Sequence, residues 1–221
     1  MTEKKKVAAV ALTFIALACV YFIPSAHLGG ILPGCVVKYR IIGPLLTLTV
    51  AGIFFLPPLM TLAMGFSMAG DFAGAYGSFI FQMGFFAVAH ILLIAYFGRR
   101  LKSMSLTPGK RYVATVAAVC VALLAFALTF IIPCAPAGGI RIGCAVYAAL
   151  ICTMTGFASM QGSRMLAVGA VLFLLSDMVL SWNKFVSPVA ASRWLIMVPY
   201  YGGQLLLWLG TVRAERHQES L

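Results

Sequence analysis

Residues 165–182 read MLAVGAVLFLLSDMVLSW, eighteen residues with one charge, Asp177, placed deep inside the run. A stretch this apolar and this long reads as a bilayer-spanning helix. A carboxylate within it is costly in hydrocarbon and so marks a functional position. Working outward, the same pattern recurs at 57–76, where Asp71 is the lone acid. The remaining acids, Glu3, Glu215 and Glu219, all lie near the termini. Further apolar runs occupy about 7–23, 41–56, 79–97, 112–132, 140–160 and 193–212. The expectation is an all-α polytopic membrane protein, a bundle of about eight transmembrane helices forming one domain over 1–221. The second run is short enough to tilt or to be partly re-entrant.

Composition agrees. Hydrophobic residues make up 62% of the chain and charged ones 10%, against roughly 25% charged in soluble domains. The net charge of +11 would suggest nucleic acid in a soluble chain. Here the cations gather at the ends of the apolar runs, so membrane orientation accounts for them and no nucleic-acid partner is expected. With the N-terminus inside, eleven cations (Lys4, Lys5, Lys6, Arg99, Arg100, Lys102, Lys110, Arg111, Arg164, Arg213, Arg216) fall on the cytoplasmic side. Five, namely Lys38, Arg40, Arg141, Lys184 and Arg193, fall opposite. Both termini are therefore expected in the cytoplasm, in a bacterial inner membrane or a eukaryotic endomembrane alike, with membrane lipids as neighbours. The Lys4–Lys6 cluster before Val7 imitates a secretory signal. No convincing small-residue cleavage site follows, so the run is expected to stay as the first span. The six cysteines lack metal-ligand spacing, and no metal or other cofactor is expected. Cys35, Cys134 and Cys144 fall near the outer face, where a disulfide is open.

The linkers are brief. Pro57-Pro58 marks a tight inner turn, and Gly98–Arg111 is the longest polar connection. Pro133, Pro136, Gly138 and Gly139 mark an outer turn. Ser67 and Asp71 are i, i+4 neighbours on one face. Gly70, Gly74 and Gly77 are small residues suited to close helix approach. At 1.5 Å per residue, Asp71 and Asp177 lie at about the same depth, roughly 18–21 Å from the inner boundary. Two carboxylates at one level can divide into acid and base. Tyr200 and Gln204 share a face near that level, beside Tyr201. Ser176 adjoins Asp177, while His90 sits within the fourth run and Tyr147 within the sixth. Lys38 and Arg40 stand at the outer edge, where they are either snorkelling flankers or contacts for a phosphate head group.

These segments resemble the YhhN family of membrane proteins, whose characterised animal members are lysoplasmalogenases. The resemblance runs from about Lys38 to Leu209. Its strongest part is GAVLFLLSDMVLSWNKF (169–185) with LIMVPYYGGQLL (195–206), similar to the family pattern GAxLFxxSDxxLAxxxF…YYxxQ. A second part is AMGFSMAGD (63–71) with MGFFAVAHILLIAYF (83–97), and Tyr147 with Met154 matches a weaker pair. The family's Lys close before a Pro at the second span is spread here over VKYRIIGP (37–44). The resemblance implies hydrolysis of the vinyl ether bond of a lysophospholipid, a lysoplasmalogen. The products are a fatty aldehyde and glycerophosphoethanolamine or glycerophosphocholine, with Asp71 and Asp177 as catalytic residues. Lys38, Arg40, Ser67, His90, Tyr147, Ser176, Tyr200, Tyr201 and Gln204 would then bind or support the substrate. A proton-coupled transporter using the aspartates as a relay stands as the alternative. An intramembrane aspartyl protease fits less well, since Ala-Gly-Asp stands where Gly-x-Gly-Asp is required. A non-catalytic lipid-binding protein also remains open.

Overall fold

A computed structural model describes residues 2–103 and 107–219, with side chains described as far as Arg216. The described residues are helical and contain no strand. The chain runs α1 (Glu3–Phe22), α2 (Ser25–Gly29), α3 (Gly34–Tyr39), α4 (Ile42–Phe55), α5 (Pro58–Tyr76), α6 (Phe79–Ser103) and α7 (Lys110–Phe126). A π turn (Ala127–Ile131) and a 3₁₀ turn (Ile132–Cys134) follow, then α8 (Gly139–Ser159), α9 (Arg164–Phe185) and α10 (Ser192–Glu219). The eight expected spans correspond to α1 and α4 through α10.

Six of these are long and apolar enough to cross a membrane by length and composition. The other two differ for separate reasons. At 14 residues, α4 rises about 21 Å, short of the ~30 Å hydrocarbon core. The 19-residue α5 is long enough, but Ser67, Asp71 and three glycines lower its hydropathy.

The chain forms two compact units, Met1–Ala89 and His90–Leu221. In the first, α4 packs on both α1 and α5, around the fully buried Leu45, Leu48, Met60 and Met64. Pro57 caps α5 in an extended conformation and Pro58 opens it, where a missing N–H is harmless. At its far end Gly77, with φ 103°, adopts a left-handed conformation and donates to the carbonyls of Ala73 and Gly74. Gly77 is thus a helix stop, whereas Gly70 and Gly74 provide close approach as expected. A Cβ on Gly70 would lie 2.8 Å from the Phe86 ring.

In the second unit α9 and α10 form the most extensive helix pair, and α8 packs on α7 and α9. The backbones of α9 and α10 touch. A Cβ on Gly203 would lie 2.7 Å from the carbonyl oxygen of Gly169 and 3.0 Å from the Phe173 nitrogen. Farther along, Gly210 abuts Leu166, and Ser176 donates to the Ile196 carbonyl at 2.8 Å. The two helices are therefore antiparallel, with Gly169 facing Gly203. Pro199 lies inside α10, where it lacks the N–H that would bond the preceding turn. The Ser176 bond is made beside this break.

One connection departs from expectation. The linker expected at Gly98–Arg111 is helical as far as Ser103, because Arg100 packs inward rather than facing solvent. Arg100 is buried and donates to Gln161 Oε1 at 3.0 Å. Gln161 in turn donates to the carbonyls of Phe97 and Phe157. Glu215 joins this network, accepting from the Tyr96 hydroxyl at 2.8 Å and lying 3.8 Å from Arg100 Nε. No disulfide links the six cysteines.

Candidate functional site

The second unit brings three candidate residues into one hydrogen-bonded chain. Asp177, on α9, accepts a hydrogen bond at Oδ2 from the Tyr147 hydroxyl of α8. Tyr147 also pairs with His90 Nε2 of α6 at 3.1 Å. His90 is fully buried, whereas Asp177 keeps 9% of its surface exposed and Tyr147 is half-buried. Both ends of the chain are thus buried, the imidazole completely and the carboxylate with a small exposed remainder.

Aromatic rings fix its geometry. The His90 ring lies 5.3 Å from that of Tyr147 and 5.0 Å from that of Phe173. Phe173 meets Tyr200 edge-on at 5.4 Å, and Tyr200 in turn meets Tyr201 at 5.4 Å. Edge-to-face contacts of this kind favour defined ring orientations. Phe173 stands one turn from Asp177 on α9, and its backbone is where Gly203 makes its close approach. The glycine contact therefore sets how far Tyr200 stands from the Asp177 helix. Gln204, one turn beyond Tyr200 on the same face, is fully buried. Met154 is buried on α8, below Tyr147.

In the first unit, Asp71 and Ser67 are buried together on α5, at 3% and 1% exposure. Near the C-terminal end of the same helix, Lys38 Nζ lies 5.2 Å from the Tyr39 ring and 5.9 Å from the Tyr76 ring. Arg40 has a different setting. Its guanidinium donates to the carbonyls of Tyr21, Ile23 and Val37 and to Ser25 Oγ, at 2.8–3.2 Å. Arg40 thereby ties α3 to the end of α1, whereas Lys38 rests against aromatic rings.

Phe173 and the Arg100–Gln161–Glu215 network escaped the sequence reading. Phe173 belongs to a run of apolar residues indistinguishable by pattern, and nothing but the fold shows which one meets His90. A cavity of about 400 Å³ opens elsewhere in the second unit, among Thr107, Tyr112, Ser159, Ser163 and Arg164. It is lined by none of the candidate residues. Among the described residues no cluster of His, Cys, Asp or Glu has the arrangement of a metal site.

Apolar helices, one of them carrying a buried, hydrogen-bonded carboxylate, define an integral membrane protein of the all-α class. The chain belongs to the YhhN family, whose model matches residues 34–211. Among similar proteins, lysoplasmalogenase TMEM86A of Homo sapiens is 32% identical over 154 residues, 65% of this chain and 59% of that protein. The Bos taurus protein of the same name is 32% identical over 155 residues, covering 65% and 60%. Lysoplasmalogenase TMEM86B of Homo sapiens is 30% identical over 207 residues, 91% of this chain and 85% of that protein. The chain thus spans about three-fifths of the TMEM86A relatives it matches. No solved structure matches it.

Proposed function

We propose that this protein is a lysoplasmalogenase-like hydrolase that cleaves the vinyl ether bond of a lysoplasmalogen within the membrane. The observation that carries the reading is the Asp177–Tyr147–His90 chain, a buried carboxylate backed by two groups able to hold or move a proton. It falls within the family-matched region, and relatives in that family are named lysoplasmalogenases.

The chemistry suits the residues. A proton added to the β-carbon of the vinyl ether converts the α-carbon and ether oxygen into an oxocarbenium ion. Water then adds at the α-carbon and loses a proton, giving a hemiacetal. This collapses to a fatty aldehyde and the free hydroxyl of the glycerophospholipid. One carboxyl must give a proton, and a second group must stabilise positive charge and accept the proton from water, as in glycoside hydrolysis. Asp177 and Asp71 are the carboxyl groups proposed for these roles, and Asp71 has Ser67 one turn before it on α5. Tyr147 orients Asp177, and Phe173, Tyr200 and Met154 supply apolar walls. We further infer that both termini face the cytoplasm and that Lys38 serves the phosphate of the head group.

The test is aldehyde release by purified protein from a lysoplasmalogen and from its saturated alkyl-ether analogue. Aldehyde from the first alone supports hydrolysis. Aldehyde from neither, with transport of protons or lipid in reconstituted vesicles, would replace this reading with a transporter.

A further inference from the structure

The protons of the buried chain can be assigned one by one. A tyrosine has one hydroxyl proton, and Tyr147 gives it to Asp177 Oδ2. The Tyr147 oxygen therefore accepts from His90 Nε2, and Nε2 carries the imidazole proton. In a neutral histidine the other nitrogen is then a bare acceptor. That atom, Nδ1, is buried without a hydrogen-bond partner. A second unpaired group lies on α10, where both the Oε1 and the Nε2 of Gln204 are buried without partners. Gly169 faces Gly203 across the α9–α10 contact, and the Phe173 backbone meets Gly203 as well. Gln204 therefore lies within about one helical turn, in depth, of Phe173, whose ring packs against His90. Both groups have no exposed surface. Buried polar groups left unpaired are uncommon in native proteins, and an ordered internal water is a usual remedy.

We propose that Gln204 is a positioning residue that holds one water molecule against His90 Nδ1, completing a proton relay that ends on the Asp177 carboxylate. The inference rests on the hydrolase reading above for its use, though not for its geometry. The water donates one O–H to Nδ1 and the other to the Gln204 carbonyl. When a proton arrives at this water, Nδ1 takes one, Nε2 passes its own to the Tyr147 oxygen, and Tyr147 passes its own to Asp177. The bonds formed are Nδ1–H, Tyr147 O–H and Asp177 O–H, and those broken are water O–H, Nε2–H and the original Tyr147 O–H. His90 ends as the other tautomer. Asp177 is thereby recharged as the acid by the proton that arrived at this water. One proton enters at the water and one is delivered to Asp177, so the transfer balances. His90 then exchanges its proton between the two nitrogens through water before the next turnover.

Gln204→Leu is close in volume and removes the amide, so it separates an orphan from a water site. A truly unpaired amide destabilises the fold, and its replacement by leucine would raise Tm by about 2 °C or more. An amide satisfied by water predicts an unchanged or lower Tm. In aldehyde-release assays, Gln204→Leu and Tyr147→Phe are each expected to lower kcat at least about tenfold while KM stays within about twofold, the pattern of a lost proton-transfer contribution. A rise in Tm for Gln204→Leu overturns the water site. An unchanged kcat in that variant, with Tm not raised, overturns the relay. Should the wild-type protein release no aldehyde, the hydrolase reading fails and the Tm result alone decides whether Gln204 and His90 share a water.

Discussion

Replacing Gly203 by alanine should wedge α9 and α10 apart. The new Cβ would lie 2.7 Å from the Gly169 carbonyl oxygen and 3.0 Å from the Phe173 nitrogen. Real Cβ atoms essentially never approach a neighbour that closely, and both obstacles are backbone atoms that cannot swing aside. The helices must therefore separate by several tenths of an ångström along the most extensive pairing in the second unit. Overpacking of this kind costs about 1–3 kcal/mol, which at this chain length corresponds to a fall in Tm of roughly 2–12 °C. The displacement acts where Phe173 spaces His90 from Tyr200, so activity should fall as well. Gly84→Ala is the control. It lies inside α6, and a Cβ there meets nothing within 4 Å, so alanine should be neutral or stabilise by up to about 1 kcal/mol through helix propensity. Thermal unfolding of both variants in one detergent provides the assay. A Gly203→Ala protein that melts with the wild type, or no more than 1 °C below it, would refute the backbone contact and the site spacing derived from it.

Arg100→Met removes a buried cation that bonds Gln161 and faces Glu215. A loss of about 1–3 kcal/mol is expected from the orphaned acceptor, read as a lower Tm. Arg40→Ala deletes the donor that ties α3 to the end of α1, and limited proteolysis should then cut between Ile23 and Gly34 faster than in the wild type. A cysteine introduced at Thr107 should react with an impermeant thiol reagent only from the cytoplasmic face, and labelling from outside would reverse the proposed orientation.

The spans were legible because hydropathy reports length directly, and each expected run corresponds to one helix, the short α4 included. The α6 end was not, because Arg99-Arg100 reads as a membrane edge unless Gln161 is known to stand beside it. Glu215 looked like a tail residue for the same reason. Its partners Tyr96 and Arg100 lie more than a hundred residues away, beyond any periodic pattern. Gly77 resembled Gly70 and Gly74 in sequence and differs only in backbone conformation. At the site, Asp177, Tyr147 and His90 were each visible as polar residues in apolar runs. Their joining was not, since the links cross 30 and 57 residues and depend on which helices become neighbours. Tyr147 stood out through its spacing from Met154 on one helix face and through family resemblance. The closeness of α9 and α10 was hidden because Gly169 and Gly203 read as ordinary small residues until they face each other.

The central claim is that the intramembrane carboxylates carry out the hydrolysis. The direct measurement is the rate of fatty aldehyde release from lysoplasmalogen by wild-type, Asp71→Asn and Asp177→Asn proteins, each verified as folded by its Tm. Asparagine preserves shape and a carbonyl but can neither give nor take the proton. It also removes a costly charge from the membrane interior, so folding should survive. The account predicts that each substitution slows release by at least about 100-fold, with Tm unchanged or raised. Near-normal release by both folded variants would contradict it.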